Sequence, residues 1–123
     1  MASVKLYEKN GDAKARQIQE NLEKHFGMLP QVFKAMGRNG DFLESVLKAG
    51  EAAGNNLSPE TRELISIAVS AINGCPYCLE AHRRAALNAG VTDEEITAAI
   101  EIAAVMSLFN NFNKAINLES DLK

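Results

Sequence analysis

Two helix boundaries fall within four residues, Asn73-Gly74-Cys75-Pro76, and this limits the fold more tightly than any other stretch of the chain. Gly74 can supply the left-handed residue that ends a helix. Pro76 biases Cys75 away from helical backbone and itself suits the first position of a new helix. The spacing predicts one helix ending at Gly74 and a second beginning at Pro76, with Cys75 at its cap and Cys78 one turn in. Both sulfurs would then lie beside unsatisfied amides and the positive end of the helix dipole, which favours thiolate over thiol. An i, i+3 separation also brings them within reach of a reversible disulfide.

Helical spacing governs the remainder. Ala15, Ile18, Leu22 and Phe26 recur at the period of an amphipathic helix, opened by Asp12 and closed by Gly27. Pro30 can start a short helix with Val32, Phe33 and Met36 on one side. Asp41 is expected to open another, with Phe42, Leu43, Val46 and Leu47 facing inward and Gly50 or Gly54 near its end. Ser58-Pro59 is an N-cap followed by proline at the first helical position. Thr92 with Glu95 forms a capping box for a final helix running to about Asn117. One segment alternates like a strand: Ile65, Ile67 and Val69 interleave with Ser66, Ala68 and Ser70. A strand there, leading into C-x-x-C, would suggest a thioredoxin-like sheet. The cap at Ser58, the lack of later strand-like segments and the lack of any proline after Pro76 argue against it. The fold expected is all-α, a compact bundle of five to six helices in a single domain over 1–123.

A chain of 123 residues fits one domain. Its 46% hydrophobic and 24% charged residues are globular values that exclude a disordered or fibrous chain. A net charge of -3 argues against a general nucleic-acid face. Residues 1–10 carry two lysines and no apolar run, and the longest apolar stretches, such as Ile102 to Met106, fall far short of the ~20 residues of a membrane span. The expectation is a cytoplasmic protein with no membrane segment. Its lone cysteine pair is then expected to be catalytic or metal-binding rather than a structural bridge. The final helix is apolar all round at Ile102 to Met106, and such a helix must be covered on every side. Subunit contacts in a homo-oligomer are expected to do part of the covering.

The helix before the cysteines bears no charge after Glu63, and Glu63, Ser66, Ser70 and Asn73 form one narrow polar line. Such a line suits either a solvent face or the wall of a pocket. His82 follows Cys78 by four residues and shares its face. An imidazole there can take the Cys78 proton, which favours Cys78 as attacking sulfur and Cys75 as the partner that closes the disulfide. Three uses of the set stay open: redox catalysis, a zinc site made of Cys75, Cys78, His82 and Glu63, and a purely structural pair. His25, Glu101 and the group Glu80, Arg83 and Arg84 read as solvated surface residues. Tyr77 reads as a lid over the cysteines or a hydrogen-bond donor to a bound substrate.

Glu63, eleven intervening residues, Cys75-Pro76-Tyr77-Cys78, three more residues and His82 together resemble the signature of the alkylhydroperoxidase D-like group within the carboxymuconolactone decarboxylase family. The resemblance is strongest from about Ser58 to Ile100. It implies an all-helical subunit assembling into trimers or hexamers, with no cofactor. It implies that Cys78 attacks a hydroperoxide, that Cys75 resolves the product as a disulfide, and that His82 and Glu63 form a proton relay. It implies a dithiol electron donor such as a dihydrolipoyl protein, and a peroxiredoxin as working partner. The decarboxylase that names the family lacks the cysteine pair, so its own activity is the weaker implication. Such peroxidases carry a histidine just before the second cysteine, where this chain has Tyr77. A disulfide oxidoreductase acting on protein partners is therefore a second expectation. Glu63 lies about 18 Å of helix before Cys75 and His82 about 10 Å beyond it, so an ideal antiparallel pair leaves an offset to be closed by a water, a bend or an oblique crossing.

Overall fold

A computed structural model describes residues 2–122, and among them it has six helices and no strand. They are α1 (Ala13–Phe26), α2 (Gln31–Ala35), α3 (Gly40–Ala52), α4 (Pro59–Asn73), α5 (Pro76–Asn88) and α6 (Asp93–Ala115). The chain divides into two compact units, Met1–Asn55 and Asn56–Lys123.

In the first unit, Asp12 acts on two helices at once. Its carboxylate accepts the Ala15 N–H at 2.8 Å, capping α1, and the Gly40 N–H at 3.0 Å, at the start of α3. The cap of α3 is Asn39, whose side chain accepts the Phe42 N–H at 3.2 Å, and not Asp41. Asp41 instead pairs with Lys14 at 2.7 Å. The approach of the two helices is tight: a Cβ on residue 40 would lie 2.6 Å from the Ala15 nitrogen. Only glycine allows α3 to start this close to α1. Leu43 is fully buried, while Phe42, expected to face inward, is 53% exposed.

The largest buried polar side chain of this unit is Gln19, which lies on the apolar face of α1. Its amide NH₂ donates to the Tyr7 and Phe33 carbonyls at 2.8 and 2.9 Å, and its oxygen accepts the Lys9 N–H at 2.8 Å. A buried amide is tolerated only when so satisfied. Here it ties the segment before α1 and the short α2 to one helix. Phe26, at the end of the α1 stripe, is half exposed and stacks on Phe33.

The second unit is built by the caps its sequence announces. Ser58 accepts the Thr61 N–H at the head of α4, with Pro59 in the first turn. Thr92 and Glu95 form both bonds of a capping box at the head of α6. The core joins Ile67 of α4, Ala86 of α5, Val91 just before the cap of α6 and Ile96 in its first turns, with Leu64 and Leu79 packed against it. Each large apolar side chain so buried contributes about 1.5–3 kcal/mol. The alternating segment 64–72 is thus helical, with Ile67 inward and Ile65 and Val69 outward. On α6, Ile96 and Ala103 face the core, whereas Ile102, Val105, Met106, Phe109 and Phe112 are exposed. No helix among the described residues is long and apolar enough to cross a membrane.

Candidate active site

The α4–α5 turn follows from its sequence. Gly74 takes the left-handed conformation, φ 70°, and its N–H and that of Cys75 return to carbonyls of the last turn of α4; the Cys75 N–H reaches Ser70 O at 3.1 Å. Cys75 is extended, at φ −104° and ψ 94°, as the residue before a proline should be, and Pro76 opens α5. The Cys75 sulfur serves as the N-cap of α5, accepting the Cys78 N–H at 3.2 Å. Cys75 and Cys78 are joined as a disulfide, their Cα atoms 5.4 Å apart. The pair therefore sits at the amide end of α5, where the dipole stabilises negative charge on sulfur released by reduction.

One turn further along α5, His82 meets Glu63 of α4. The Nδ1 to Oε2 distance is 2.7 Å. With Glu63 ionised, Nδ1–H donates to the carboxylate, which leaves Nε2 as the proton acceptor. The offset expected of ideal helices is closed by the two side chains in direct contact. The imidazole is 40% exposed and the carboxylate 21%, so the histidine is open to solvent while its partner is more enclosed.

Glu63, Ser66 and Ser70 share the face of α4 that carries this contact, because three- and four-residue steps return to the same side of a helix. Val69, Ile72 and Asn73 of α4 line, with Ile102 and Met106 of α6, a shallow groove of about 430 Å³. Neither Glu63 nor His82 lines it. Tyr77, between the cysteines, is 47% exposed. Glu80 and Arg84 form an exposed ion pair at 2.8 Å. Among the described residues no three His, Cys, Asp or Glu side chains are grouped to hold a metal. The four residues singled out from sequence are therefore brought together as two bonded pairs, linked through the Cys78-to-His82 turn of α5.

A short helical chain with a disulfide at a helix N-terminus and a histidine–carboxylate pair one turn away defines a thiol–disulfide class of site. Residues 40–118 match the model of the carboxymuconolactone decarboxylase family, and the chain belongs to that family. It is similar to "Alkyl hydroperoxide reductase AhpD" of Methylobacterium sp. (strain 4-46), 48% identical over 58 residues, which are 47% of this chain and 30% of that protein. The protein of the same name from Hyphomonas neptunium is 58% identical over 45 residues, 37% of this chain and 25% of the other. "Uncharacterized protein 4 in cox locus" of Paracoccus denitrificans is 38% identical over 63 residues, 49% of this chain and 57% of that one. The matched segment thus spans less than two thirds of each of these relatives. Among solved structures, the alkylhydroperoxidase AhpD core from Rhodospirillum rubrum superposes with a TM-score of 0.82, covering 98% of this chain and 95% of that one at 23% identity. That likeness shows the fold.

Proposed function

We propose that the protein is a thiol-dependent peroxidase that reduces organic hydroperoxides to alcohols. The observation that carries this reading is the 2.7 Å contact of His82 with Glu63, one helical turn from a bonded Cys75–Cys78 pair. In the reduced enzyme, His82 Nε2 takes the Cys78 proton, and Glu63 holds the ring and stabilises the imidazolium. The Cys78 thiolate attacks the terminal hydroperoxide oxygen; an S–O bond forms, the O–O bond breaks, and the alkoxide leaves as alcohol with a proton from His82. Cys75 then attacks the sulfenic sulfur; the S–S bond forms as the S–O bond breaks, and the hydroxide leaves as water with the proton given up by the Cys75 thiol. A dithiol donor, a dihydrolipoyl protein in the family's manner, returns two electrons, and a peroxiredoxin is the working partner.

The names of the AhpD relatives support this activity, as does the family match over the segment that holds all four residues. The exposed apolar face of α6 supports a homo-oligomer, a trimer or hexamer, as the working form. The redox pair suits a reducing, cytoplasmic setting. The test is a titration of free thiols in pre-reduced protein before and after one equivalent of an organic hydroperoxide. Loss of both thiols, reversed by a dithiol, is the expected result. Two thiols that survive peroxide would sink the peroxidase.

Tyr77 favours a second reading. An exposed phenol stands beside the disulfide, between the two cysteines. A disulfide oxidoreductase acting on protein partners would use that surface for docking and react poorly with peroxide. Rapid exchange with a protein disulfide alongside slow peroxide turnover would select it.

A further inference from the structure

We infer that the hydroxyl of Ser70 is a further catalytic residue, donating a hydrogen bond to the hydroperoxide oxygen that becomes the leaving alkoxide. The inference rests on the peroxidase reading above. Three other serine or threonine hydroxyls within the helices are committed as donors: Ser45, Ser66 and Thr97 each donate to the carbonyl four residues back, at 2.8, 2.8 and 3.1 Å. That is the ordinary resting place for such a group inside a helix. Ser70 is half-buried, and its hydroxyl has no hydrogen-bond partner among the described residues.

Position gives the free hydroxyl its use. The Glu63–His82 contact fixes the register of α4 against α5. Ser70 lies two turns on from Glu63 on the same face of α4, the side turned to α5. The bond from Cys75 N–H to Ser70 O, 3.1 Å, holds the Cys75 backbone against the last turn of α4, which Ser70 begins. Ser66, one turn earlier on that face, has its hydroxyl committed to Arg62 O. From Leu64 to Asn73, α4 bears no charged side chain. Ser70 is thus an uncharged donor beside the Cys75 backbone, in a stretch of α4 that carries no charge of its own.

The step balances as written for Cys78. Sulfur gains the S–O bond as the O–O bond breaks, and the proton from His82 reaches the departing alkoxide. Ser70 adds no proton to this balance; its hydrogen bond strengthens as negative charge develops on that oxygen. A donor aimed at developing charge acts on the transition state more than on the bound substrate.

The two half-reactions separate this role from a structural one. Pre-reduced wild type, Ser70→Ala and Ser70→Thr would each be mixed with cumene hydroperoxide, and thiol loss followed by stopped flow. The oxidised forms would be mixed with dithiothreitol and disulfide reduction followed. Ser70→Ala is expected to oxidise at least about tenfold more slowly, to be reduced at the wild-type rate and to keep its melting temperature, while Ser70→Thr recovers most of the oxidation rate. Oxidation of Ser70→Ala at the wild-type rate would overturn the role, as would equal slowing of both half-reactions. If wild type itself keeps its thiols against peroxide, the peroxidase reading fails and takes this role with it.

Discussion

His82 Nδ1 and Glu63 Oε2 lie 2.7 Å apart across two helices, though nineteen positions separate the residues in the chain. The contact engages Nδ1 of the imidazole and leaves Nε2 free of it, and Nε2 is the atom that the proposed relay assigns to the Cys78 proton.

His82→Ala removes the base and should lower kcat/KM for an organic hydroperoxide by about a hundredfold or more. Glu63→Gln keeps a hydrogen-bond acceptor on the ring but loses the charge that stabilises the imidazolium. Its loss should be smaller, about tenfold. Steady-state kinetics of both variants checks the assignment, and full activity in His82→Ala would remove the relay.

Cys78→Ser should abolish peroxide turnover outright. Cys75→Ser should still react once, leaving a sulfenic acid on Cys78 that a dione probe captures and mass spectrometry locates. Capture on neither variant, with wild-type turnover intact, would reverse or remove the assigned roles.

Ile102, Val105, Met106, Phe109 and Phe112 present a contiguous apolar strip along α6. A strip of this kind marks an association surface. Phe109→Glu should leave the subunit folded, because residue 109 is exposed, and should lower the solution mass measured by sedimentation toward that of one chain. An unchanged mass in an associated wild type would move the interface elsewhere.

Gln19→Leu keeps the volume of a fully buried side chain but strands the Tyr7 and Phe33 carbonyls and the Lys9 N–H. Each group left without a partner costs about 1–3 kcal/mol, less where water reaches it. The variant should lose about 3 kcal/mol, read as a lower urea midpoint. Equal stability would show that these groups find other partners.

Asp12 holds its carboxyl below the usual range because it accepts the Gly40 N–H and then the Ala15 N–H. A depressed folded pKa gives stability that is present above the unfolded value, about 3.9, and lost as pH falls through the folded value. Wild type should therefore melt higher than Asp12→Asn at pH 7, with the gap closing below about pH 4. Thermal melts of both proteins from pH 7 to pH 3 measure it, and a gap as wide at pH 3 as at pH 7 would remove this linkage.

The helix ends were legible in the sequence because capping is local. Asp12, Ser58, Gly74 and the Thr92–Glu95 box each act within one turn, and the structure places all of them at their ends. The cysteine pair was legible for the same reason: a proline, a glycine and an i, i+3 spacing place both sulfurs at one helix terminus without help from the rest of the chain. The cap of α3 was not. Asn39 displaced Asp41 because the Gly40 N–H goes to Asp12, a partner 28 residues away. Phe42 and Leu43 fit an apolar face equally well as letters, and which of them is buried depends on where α1 lies. Gln19 carried a signal, since it falls four residues after Ala15 on the apolar stripe, but a lone amide there gives no clue to its partners.

What the sequence alone determined, then, are the elements and the chemistry each can bear: all-helical segments, a redox-capable pair at a helix head, and a histidine one turn behind. The packing of segments against one another is what brings Glu63 to His82 and gives Gln19 its three partners. Local rules act over a few residues along one helix. Those two facts depend on the register between segments, which is set by the packing of side chains distant in the chain.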